Sequence, residues 1–467
     1  MKTLKIMLFA TILFLAMAVN AQKNSSCTHC NMTIKDLKHN ATIEENGKIS
    51  HFDAIECLVN YLKEQPNKEH SKLAVADYST SKLVDAKTAY YFKSKKIQSP
   101  MGANLSAFES EEVANNYKKK NGGAVYNWEE LKALFSDEKS DASNHFHHNH
   151  FRPDSHAPIG VSGDHMHPQG GLMFSYKAMY MSMEGNLSGT EAITDEQIFN
   201  SYMNAPQTMT MQMHMLGGMY APTDKVTLML MQNYLSNKMD LTHSMTMMDG
   251  MKMKENFSTQ SRGLGDLKAS VLIALYANQS SSMHLNTGIS FPIGRVSQKD
   301  DTPMKENAKL PYAMQLGSGT VDFSLGATYK KTFTSGSIGA QLSGVLRTGN
   351  NTEGYQLGDM GQLNIWGALN LNRCVSISSR VQWLINENIS GIDVDLEPMM
   401  APAANTTNYG GHQMNGFLGL NYAFSASSNW NKVKFGLEAG VPIYQNVTGI
   451  QMNQKYLINA GLKYAIL

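Results

Sequence analysis

The sequence predicts a two-domain protein in which a small α+β domain precedes an antiparallel transmembrane β-barrel of about 12 strands. Three observations support this prediction. The chain has 467 residues, more than one ordinary domain requires. Beyond the N-terminal leader, no apolar run reaches the ~20 residues of a membrane-spanning helix. The second half instead contains segments of about ten residues in which apolar and polar side chains alternate, as they do in the strands of membrane barrels.

The N-terminus has the parts of a secretory signal peptide. Met1–Lys5 is short and basic, Ile6–Val19 is apolar, and Val19 and Ala21 are small residues at positions suited to cleavage. We therefore expect residues 1–21 to be removed by cleavage near Ala21. No cysteine follows directly, so we expect no lipoprotein anchor. The mature chain then lies outside the cytoplasm, where thiols can oxidise.

Charge and motifs argue against several classes of function. The formal net charge is +1 and there is no long basic stripe, so we expect no nucleic-acid partner. The sequence contains no nucleophile elbow, phosphate-binding loop or helical zinc-protease motif. We therefore predict no catalytic residues, no residues that bind an organic cofactor, and no enzymatic activity.

Residues 23–136 predict the α+β domain. Asn46-Gly47 lies between two apolar segments and favours a two-residue hairpin turn. Asp53 is a suitable N-cap for a helix whose apolar residues follow at helical spacing. Further strand-like segments come next, and a second helix is predicted over 109–120.

The chemistry of this domain is concentrated in Cys27-Thr28-His29-Cys30-Asn31-Met32. Two thiolates and a thioether within six residues suit one soft cation such as Cu(I). Cys57, on the first helix, and Met101 are candidates to approach the same point. Alternatives remain open: a Cys27–Cys30 disulfide, a redox-active pair, or half of a zinc site. Because methionine is a poor zinc ligand, Met32 favours copper.

Four segments, CTHCNMTI, HFDAIECLVNYL, DAKTAYYFKS and SPMGANLSAF, occur in this order between Cys27 and Leu134. In these segments the domain resembles the NosL family of periplasmic copper-binding proteins and chaperones. The resemblance implies Cu(I) binding and delivery, with Cys27, Cys30, Met32 and Met101 at the matching positions. It also implies a periplasmic protein that donates or accepts copper. Typical members end after this domain, whereas this chain continues for more than three hundred residues.

Residues 137–169 predict a linker, because they are rich in Ser, Asp, Asn, Gly and His and show no apolar periodicity. Such tracts commonly bind divalent metal ions weakly. The alternative is a solvated spacer whose histidines act independently, and the sequence does not decide whether the linker enters the barrel. Seven histidines lie in this tract: His145, His147, His148, His150, His156, His165 and His167.

Residues 170–467 predict the barrel. After the first predicted strand, long and short connections alternate, which is typical of outer loops and periplasmic turns. We then expect both termini to lie in the periplasm and the outer surface of the barrel to contact outer-membrane lipid. The alternative fold is a soluble sandwich. The predicted strands fall near 171–184, 207–220, 225–237, 264–277, 282–292, 319–332, 337–347, 361–371, 375–386, 412–424, 431–442 and 455–466.

The chain has 32 methionines, with a dense block between Met166 and Met253. Strand alternation, with polar residues assigned to the lumen, predicts which of them face inward. On this basis Met209, Met211, Met213 and Met215 are expected to face lipid. Met173, Met179, Met181, Met183, Met229 and Met231 are expected to face the lumen, and Met239–Met253 to form an outer loop. The inward set would suit soft-metal capture or would form an adaptable apolar lining.

Two short glycine-rich segments, 261–267 and 314–320, resemble barrel transporters of the MetA-pathway phenol-degradation type. These patterns support a barrel more than any particular solute. The sequence therefore predicts a copper-handling outer-membrane protein, in which the N-terminal domain binds Cu(I) and the barrel passes copper or a copper complex. The alternative is a general transporter of small apolar solutes with an accessory metal-binding domain.

Overall fold

The structure is a computed structural model, and it divides into two compact units, residues 1–141 and 142–467. The predicted signal peptide and His145, His147, His148 and His150 lie outside the described residues. The residues described are 27–29, 34, 36–45, 47–63, 72–94, 96–136, 152–246, 252–278, 280–333, 335–372, 374–424, 430 and 432–466.

The first unit contains two small antiparallel sheets with helices. Strands β1, β2, β3 and β4 form one sheet in the order β2-β1-β3-β4, and β5, β6 and β7 form the other in the order β6-β5-β7. The predicted turn at Asn46-Gly47 joins β1 and β2; Gly47 has φ +74°, and Asn46 is outside the described residues. The elements are β1 (Ala41–Glu45), β2 (Lys48–Phe52), α1 (Ile55–Lys63), β3 (Lys72–Ala76), β4 (Leu83–Asp85), β5 (Tyr90–Lys93), β6 (Leu105–Phe108), α2 (Glu111–Asn121), β7 (Ala124–Tyr126) and α3 (Trp128–Ser136).

The core of this unit forms where one face of α1 packs on the sheets. Ile55, Leu58 and Val59 follow helical spacing and are buried together with Phe52 and Tyr91. The sequence therefore predicted both the helix and the face that it buries.

The second unit is a closed antiparallel β-barrel. Eleven strand elements form the ring and the short strand β9 pairs outside it, in the order β10-β11-β12-β13-β16-β17-β19-β20-β22-β23-β8, with β8 returning to β10. The ring elements are β8 (Leu172–Gly189), β10 (Asn204–Thr223), β11 (Val226–Thr246), β12 (Lys252–Ala277), β13 (Ser281–Phe291), β16 (Asp322–Thr332), β17 (Gly336–Leu346), β19 (Met360–Asn370), β20 (Val375–Asn386), β22 (Gly411–Ala423) and β23 (Val433–Ala465). The others are β9 (Glu191–Ile193), α4 (Asp195–Ile198), β14 (Lys299–Asp300), β15 (Ala308–Lys309), β18 (Tyr355–Gln356) and β21 (Ser390–Gly391).

The last element, β23, passes along the barrel twice. Its first half pairs with β22 and its second half with β8, and Gly449 between them has φ +67°. The amide of Ala465 donates to the carbonyl of Lys432 at 3.0 Å, which joins the two ends. A ring in which every pairing is antiparallel closes only with an even number of strand passages. The eleven elements therefore supply the twelve passages that the sequence predicted.

Side chains alternate across the barrel wall. On β17, Ser337 and Gln341 are buried inside, whereas Ile338, Leu342 and Leu346 are exposed on the outer face. The same alternation recurs on the neighbouring strands, because successive strand residues point to opposite sides of a sheet. The barrel thus has an apolar outer face and an inner face with many polar side chains, as the alternation in the sequence predicted.

One of the predicted long connections is mostly a continuation of the two strands that it joins. The segment Met239–Gly263 was expected to be an outer loop, but β11 continues to Thr246 and β12 begins at Lys252. The register pairs Met245 with Met253, so the hairpin extends almost to its tip. Met247, Met248 and Met251 lie outside the described residues.

The second half of the predicted linker lies inside the barrel. We call residues 152–169 the lumen plug. The carbonyls of this segment accept hydrogen bonds from inward side chains on several separated strands: Lys330 Nζ at 3.1 Å to Asp154, Gln341 Nε2 at 3.0 Å to Ser162, His284 Nε2 at 2.9 Å to Gly163, and Lys177 Nζ at 3.1 Å to Val161. A single segment that contacts β8, β13, β16 and β17 must lie within the ring.

The lumen plug begins and ends at the same end of the barrel. Arg152 donates to the carbonyl of Phe333 in the short turn between β16 and β17, at 2.8 Å. The amide of Gln169 donates to Asp224 in the short turn between β10 and β11, also at 2.8 Å. The chain therefore enters the barrel from the end that carries the short turns.

Among the helices of the described residues, none is both long and apolar enough to cross a membrane.

We expect Leu342→Arg to destabilise the barrel in lipid vesicles by about 2–4 kcal/mol, because it places a cation on the middle of the outer apolar face. Leu342 is 62% exposed, and the matched control is Val394→Arg, at a residue 95% exposed on the connection between β20 and β22. Denaturant unfolding of the vesicle-inserted chains measures the difference. Equal stability of the two variants would argue against a lipid-facing β17.

Candidate metal centre

Two cysteines and an aspartate meet in the core of the first unit. One ligand atom of each of Cys27, Asp53 and Cys57 lies within 4.8 Å of the others, and all three residues are buried. The cysteines are thirty positions apart in the sequence. Their convergence is therefore produced by the fold and not by local spacing.

Two local contacts hold this arrangement. The amide of Thr28 donates to the carbonyl of His51 at 2.7 Å, which fixes the Cys27 segment against β2. Asp53 follows β2 directly, and the amide of Cys57 donates to the carbonyl of Ala54 at 3.1 Å in the first turn of α1. The hairpin and the helix that follows it therefore bring the side chains together from two directions.

Met101 approaches from a third segment. It is partly buried against the same core cluster that contains Cys27 and Cys57. It lies in the tight turn Ser99–Ala103, in which the amide of Gly102 donates to the carbonyl of Ser99 at 3.1 Å. Gly102 has φ +84°, a backbone conformation that residues with a side chain rarely adopt.

Glu56 ties this turn to α1. Its carboxylate accepts hydrogen bonds from Ser99 Oγ and, at 3.2 Å, from the amide of Ala103. Burial raises the pKa of Glu56, although the hydrogen bond from Ser99 acts in the opposite direction. Glu56 is adjacent to Cys57, so it fixes the turn that carries Met101 beside the helix that carries the cysteine.

The sequence-predicted residues are partly accounted for. The structure brings together Cys27 and Cys57, and Met101 packs against the core cluster that contains them. Cys30 and Met32 lie outside the described residues. Sequence reasoning did not assign Asp53 or Glu56 to the site, because it treated Asp53 only as a helix cap. The signal in the sequence was a pair of acidic residues, Asp53 and Glu56, on either side of the first residue of a helix that carries a cysteine.

The donor set is mainly sulfur. Cysteine thiolates and the methionine thioether prefer soft cations, whereas a carboxylate prefers harder ones. The buried Asp53 adds one oxygen donor to the sulfur atoms of the two cysteines. The arrangement therefore fits a soft metal ion that is shielded from water.

A second set of sulfur atoms lines the barrel. Residues directly opposite each other in an antiparallel pair share a face, and Met215 is opposite Lys177, which donates to the lumen plug. Leu216 and Tyr220, at the alternate positions of β10, are exposed outside. We call the inward methionines of β8, β10 and β11 the methionine face: Met173, Met179, Met181, Met183, Met209, Met211, Met213, Met215, Met219, Met229, Met231 and Met239.

The expectation that Met209, Met211, Met213 and Met215 face lipid was wrong. It assumed that the more polar face of β10 is the lumen face. At 20 residues, β10 is longer than the ~9–11 that cross a bilayer, so one end of its outer face can be polar. There Thr208 Oγ1 donates to Asp240 at 2.6 Å. The inward predictions for β8 and β11 agree with the register.

The methionine face ends in two apolar clusters. Near the lumen plug, Met166 packs with Met173 and Met219. In the other cluster, Met209 and Met239 pack against buried residues of the connection between β13 and β16, which include Leu310 and Met314. Thioethers therefore extend along one side of the lumen from the plug to that connection.

Fold and site together define a small domain with a buried, sulfur-containing candidate metal centre, followed by a closed β-barrel. Residues 18–135 match the family model described as NosL. This match confirms the resemblance that the motifs predicted for the N-terminal domain. A curated relative is the copper-binding lipoprotein NosL of Stutzerimonas stutzeri, which is 28% identical over 153 residues. The alignment covers 30% of this chain and 77% of that protein.

Solved structures similar to each unit are also found. The COG4313 outer membrane channel from Pseudomonas putida F1 has 13% identity and a TM-score of 0.45, and the alignment covers 66% of this chain and 99% of that one. The copper chaperone NosL from Shewanella denitrificans has 18% identity and a TM-score of 0.22, over 24% of this chain and 93% of that one.

We expect Glu56→Ala to release the turn that carries Met101. Loss of two buried hydrogen bonds costs about 1–3 kcal/mol, so amides of residues 99–104 should exchange roughly 5- to 150-fold faster. Hydrogen exchange with mass spectrometry on the intact chain measures this. Glu129→Ala is the control, because Glu129 is 76% exposed on α3. Equal exchange in the two variants would contradict the assigned role of Glu56.

Proposed function

We propose that the chain is a copper-handling protein of the outer membrane. Its N-terminal domain binds Cu(I) in the periplasm, and its barrel provides a passage for copper or a copper complex. The observation that carries this proposal is the convergence of Cys27 and Cys57, with Met101, in one buried core. The similarity of this domain to a copper-binding lipoprotein adds support.

The proposed ligands are Cys27, Cys30, Met32, Met101 and Cys57. All five supply sulfur, which favours Cu(I) over zinc, magnesium or calcium. Asp53 is the hard donor of the site, so we assign it to balancing charge near the ion and not to selecting it. Because a buried ion has to be handed over, a periplasmic donor or acceptor protein is the expected partner.

The membrane location follows from the outer face of the barrel. Exposed apolar residues such as Leu342, Ile365 and Leu418 recur around the ring, which suits contact with lipid. Single-chain barrels of this kind have short periplasmic turns. The chain enters the barrel at the end with the short turns, so we place the N-terminal domain in the periplasm, after cleavage of the signal peptide near Ala21.

The methionine face supports a role of the barrel in moving the same ion. A thioether is a weak, uncharged and soft ligand, so a series of them binds Cu(I) without holding it as firmly as thiolates do. Methionines of neighbouring strands lie directly opposite one another on this face, as Met211 does to Met181 and Met213 to Met179. Such pairs suit stepwise transfer along the lumen.

A second candidate is a transporter of small apolar solutes with an accessory metal-binding domain. The observation that favours it is the apolar character of the two methionine clusters, which would also line a path for an uncharged solute. In this case the methionine side chains contribute only bulk and apolar surface, and their sulfur has no chemical role. Replacement of methionine by leucine therefore separates the two candidates.

We expect Cys27→Ser and Cys57→Ser each to weaken Cu(I) binding by the full-length chain by more than about 100-fold. Each removes a thiolate ligand, and loss of a group that only orients a ligand already costs roughly 10–100-fold. A competition titration against a Cu(I) chelator, with the reduced protein in detergent, measures the affinity.

Cys374→Ser is the matched control for this titration, since Cys374 lies in the turn between β19 and β20 of the barrel. It should bind Cu(I) as tightly as the unmodified chain. The proposal fails if the unmodified reduced chain does not bind, or if all three serine variants bind equally well.

A further inference from the structure

The lumen plug brings three histidines of the predicted linker together inside the barrel. The ring centroids of His156 and His165 are 4.0 Å apart, and those of His165 and His167 are 4.8 Å apart. These residues were predicted either to bind metal weakly or to act independently in a solvated spacer. They are neither solvated nor separate, because the lumen wall encloses the segment that carries them.

One potential ligand atom from each of His156, Asp164 and His165 lies within 4.8 Å of the other two. Nδ1 of His156 lies 3.1 Å from Nδ1 of His165, which lies 2.9 Å from Oδ1 of Asp164. The other carboxylate oxygen of Asp164 is 3.7 Å from Nδ1 of His156. Two ligands that are each ~2.0–2.1 Å from a tetrahedral ion are about 3.3 Å apart. The separation between the two Nδ1 atoms and that between Nδ1 of His165 and Oδ1 of Asp164 are therefore close to the spacing of neighbouring ligands in a coordination shell.

We propose that His156, Asp164 and His165 form a second metal site, inside the barrel, for a divalent transition-metal ion that prefers imidazole ligands. This site differs in chemistry from the N-terminal centre, since two nitrogens and one oxygen suit Cu(II) or Zn(II) better than Cu(I). It does not rest on the proposed function, because none of its residues belongs to the N-terminal domain.

The site is built and buried. The side chains of His156, Asp164 and His165 are 9%, 2% and 10% exposed. The amide of Ala157 donates to Oδ2 of Asp164 at 2.7 Å, which fixes the carboxylate across the loop of the plug. Nε2 of His165 is buried and has no hydrogen-bond partner among the described residues. A metal ion bound to Nδ1 leaves the ring proton on Nε2, so Nε2 is not one of the proposed ligand atoms.

Four lysines surround the plug, and three of them contact its carbonyl or hydroxyl groups and not the proposed ligand atoms. Lys177 donates to Ser162 Oγ at 2.7 Å, Lys330 to the carbonyl of Asp154, and Lys434 to Ser155 Oγ. Lys463 contacts the site itself, at 3.3 Å from Oδ1 of Asp164. The lysines thus hold the plug by its backbone and hydroxyl groups, and Asp164 offsets the charge of the one that is near.

A metal at this point would join the two ends of the plug loop. His156 precedes the segment 157–163, and Asp164 and His165 follow it. That segment makes the hydrogen bonds to Lys177, Gln341 and His284 across the lumen. Occupancy would therefore restrict the part of the plug that contacts the wall.

The test uses the full-length chain in detergent with Cys27→Ser and Cys57→Ser, which removes binding by the N-terminal centre. Titration with Cu(II), followed by electron paramagnetic resonance, should give one tight equivalent with hyperfine coupling to nitrogen. His156→Ala with His165→Ala should weaken this equivalent at least 10-fold. Asp164→Asn retains an oxygen for Ala157, so it is a variant more certain to fold, and it should also weaken binding.

The matched control is His147→Ala with His148→Ala, in the part of the histidine tract that precedes the plug. It should retain the tight equivalent. Addition of Cu(II) should also slow hydrogen exchange in residues 157–163 of the control but not in the His156 and His165 double variant. The proposal is overturned if the parent chain shows no tight equivalent, or if the control loses it while the plug variants keep it.

Discussion

The structure of the larger unit depends on one constraint: a closed ring of strands in which every side chain points either in or out. Closure satisfies the backbone hydrogen bonds of both edges, which no open sheet achieves in lipid. It requires an even number of antiparallel passages, and β23 meets that requirement by turning back at Gly449. Because the alternation is strict, one face of β8, β10 and β11 supplies the whole methionine face.

The same constraint explains what the sequence could predict. Alternating apolar residues and the lengths of the connections were sufficient for the strands and the closed barrel. They were not sufficient to predict which face of β10 points into the lumen. The rule that polar residues face the lumen assumes a lumen filled with water. Here Met166 of the plug packs on Met173 and Met219, so the inner face is partly apolar.

The metal centre was predictable only in part, for a different reason. Cys27 and Cys30 form a local pattern, but the approach of Cys57 depends on how β2 leads into α1. Asp53 and Glu56 carry no motif of their own, and their roles appear only from burial and hydrogen bonds. The plug was equally hidden, because a polar segment rich in histidine has the composition of a solvated linker. Its burial depends on side chains such as Lys330, which contacts Asp154 of the plug from 176 residues further along the chain.

In the proposed function, sulfur has a chemical role in both units: thiolates bind Cu(I) in the N-terminal domain, and thioethers pass it along the barrel. The most direct test is the total copper content of cells that lack the protein, complemented with a chain carrying leucine at Met179, Met181, Met211 and Met213. Leucine preserves bulk and apolarity and removes only the sulfur. The control carries Met283→Leu, on the outer face of β13. We expect the copper content to change on deletion and the control chain to restore it. The four-leucine chain should not restore it, although this chain is present in the membrane at the same level as the control. Full restoration by the four-leucine chain, or no change on deletion, would contradict the proposed function.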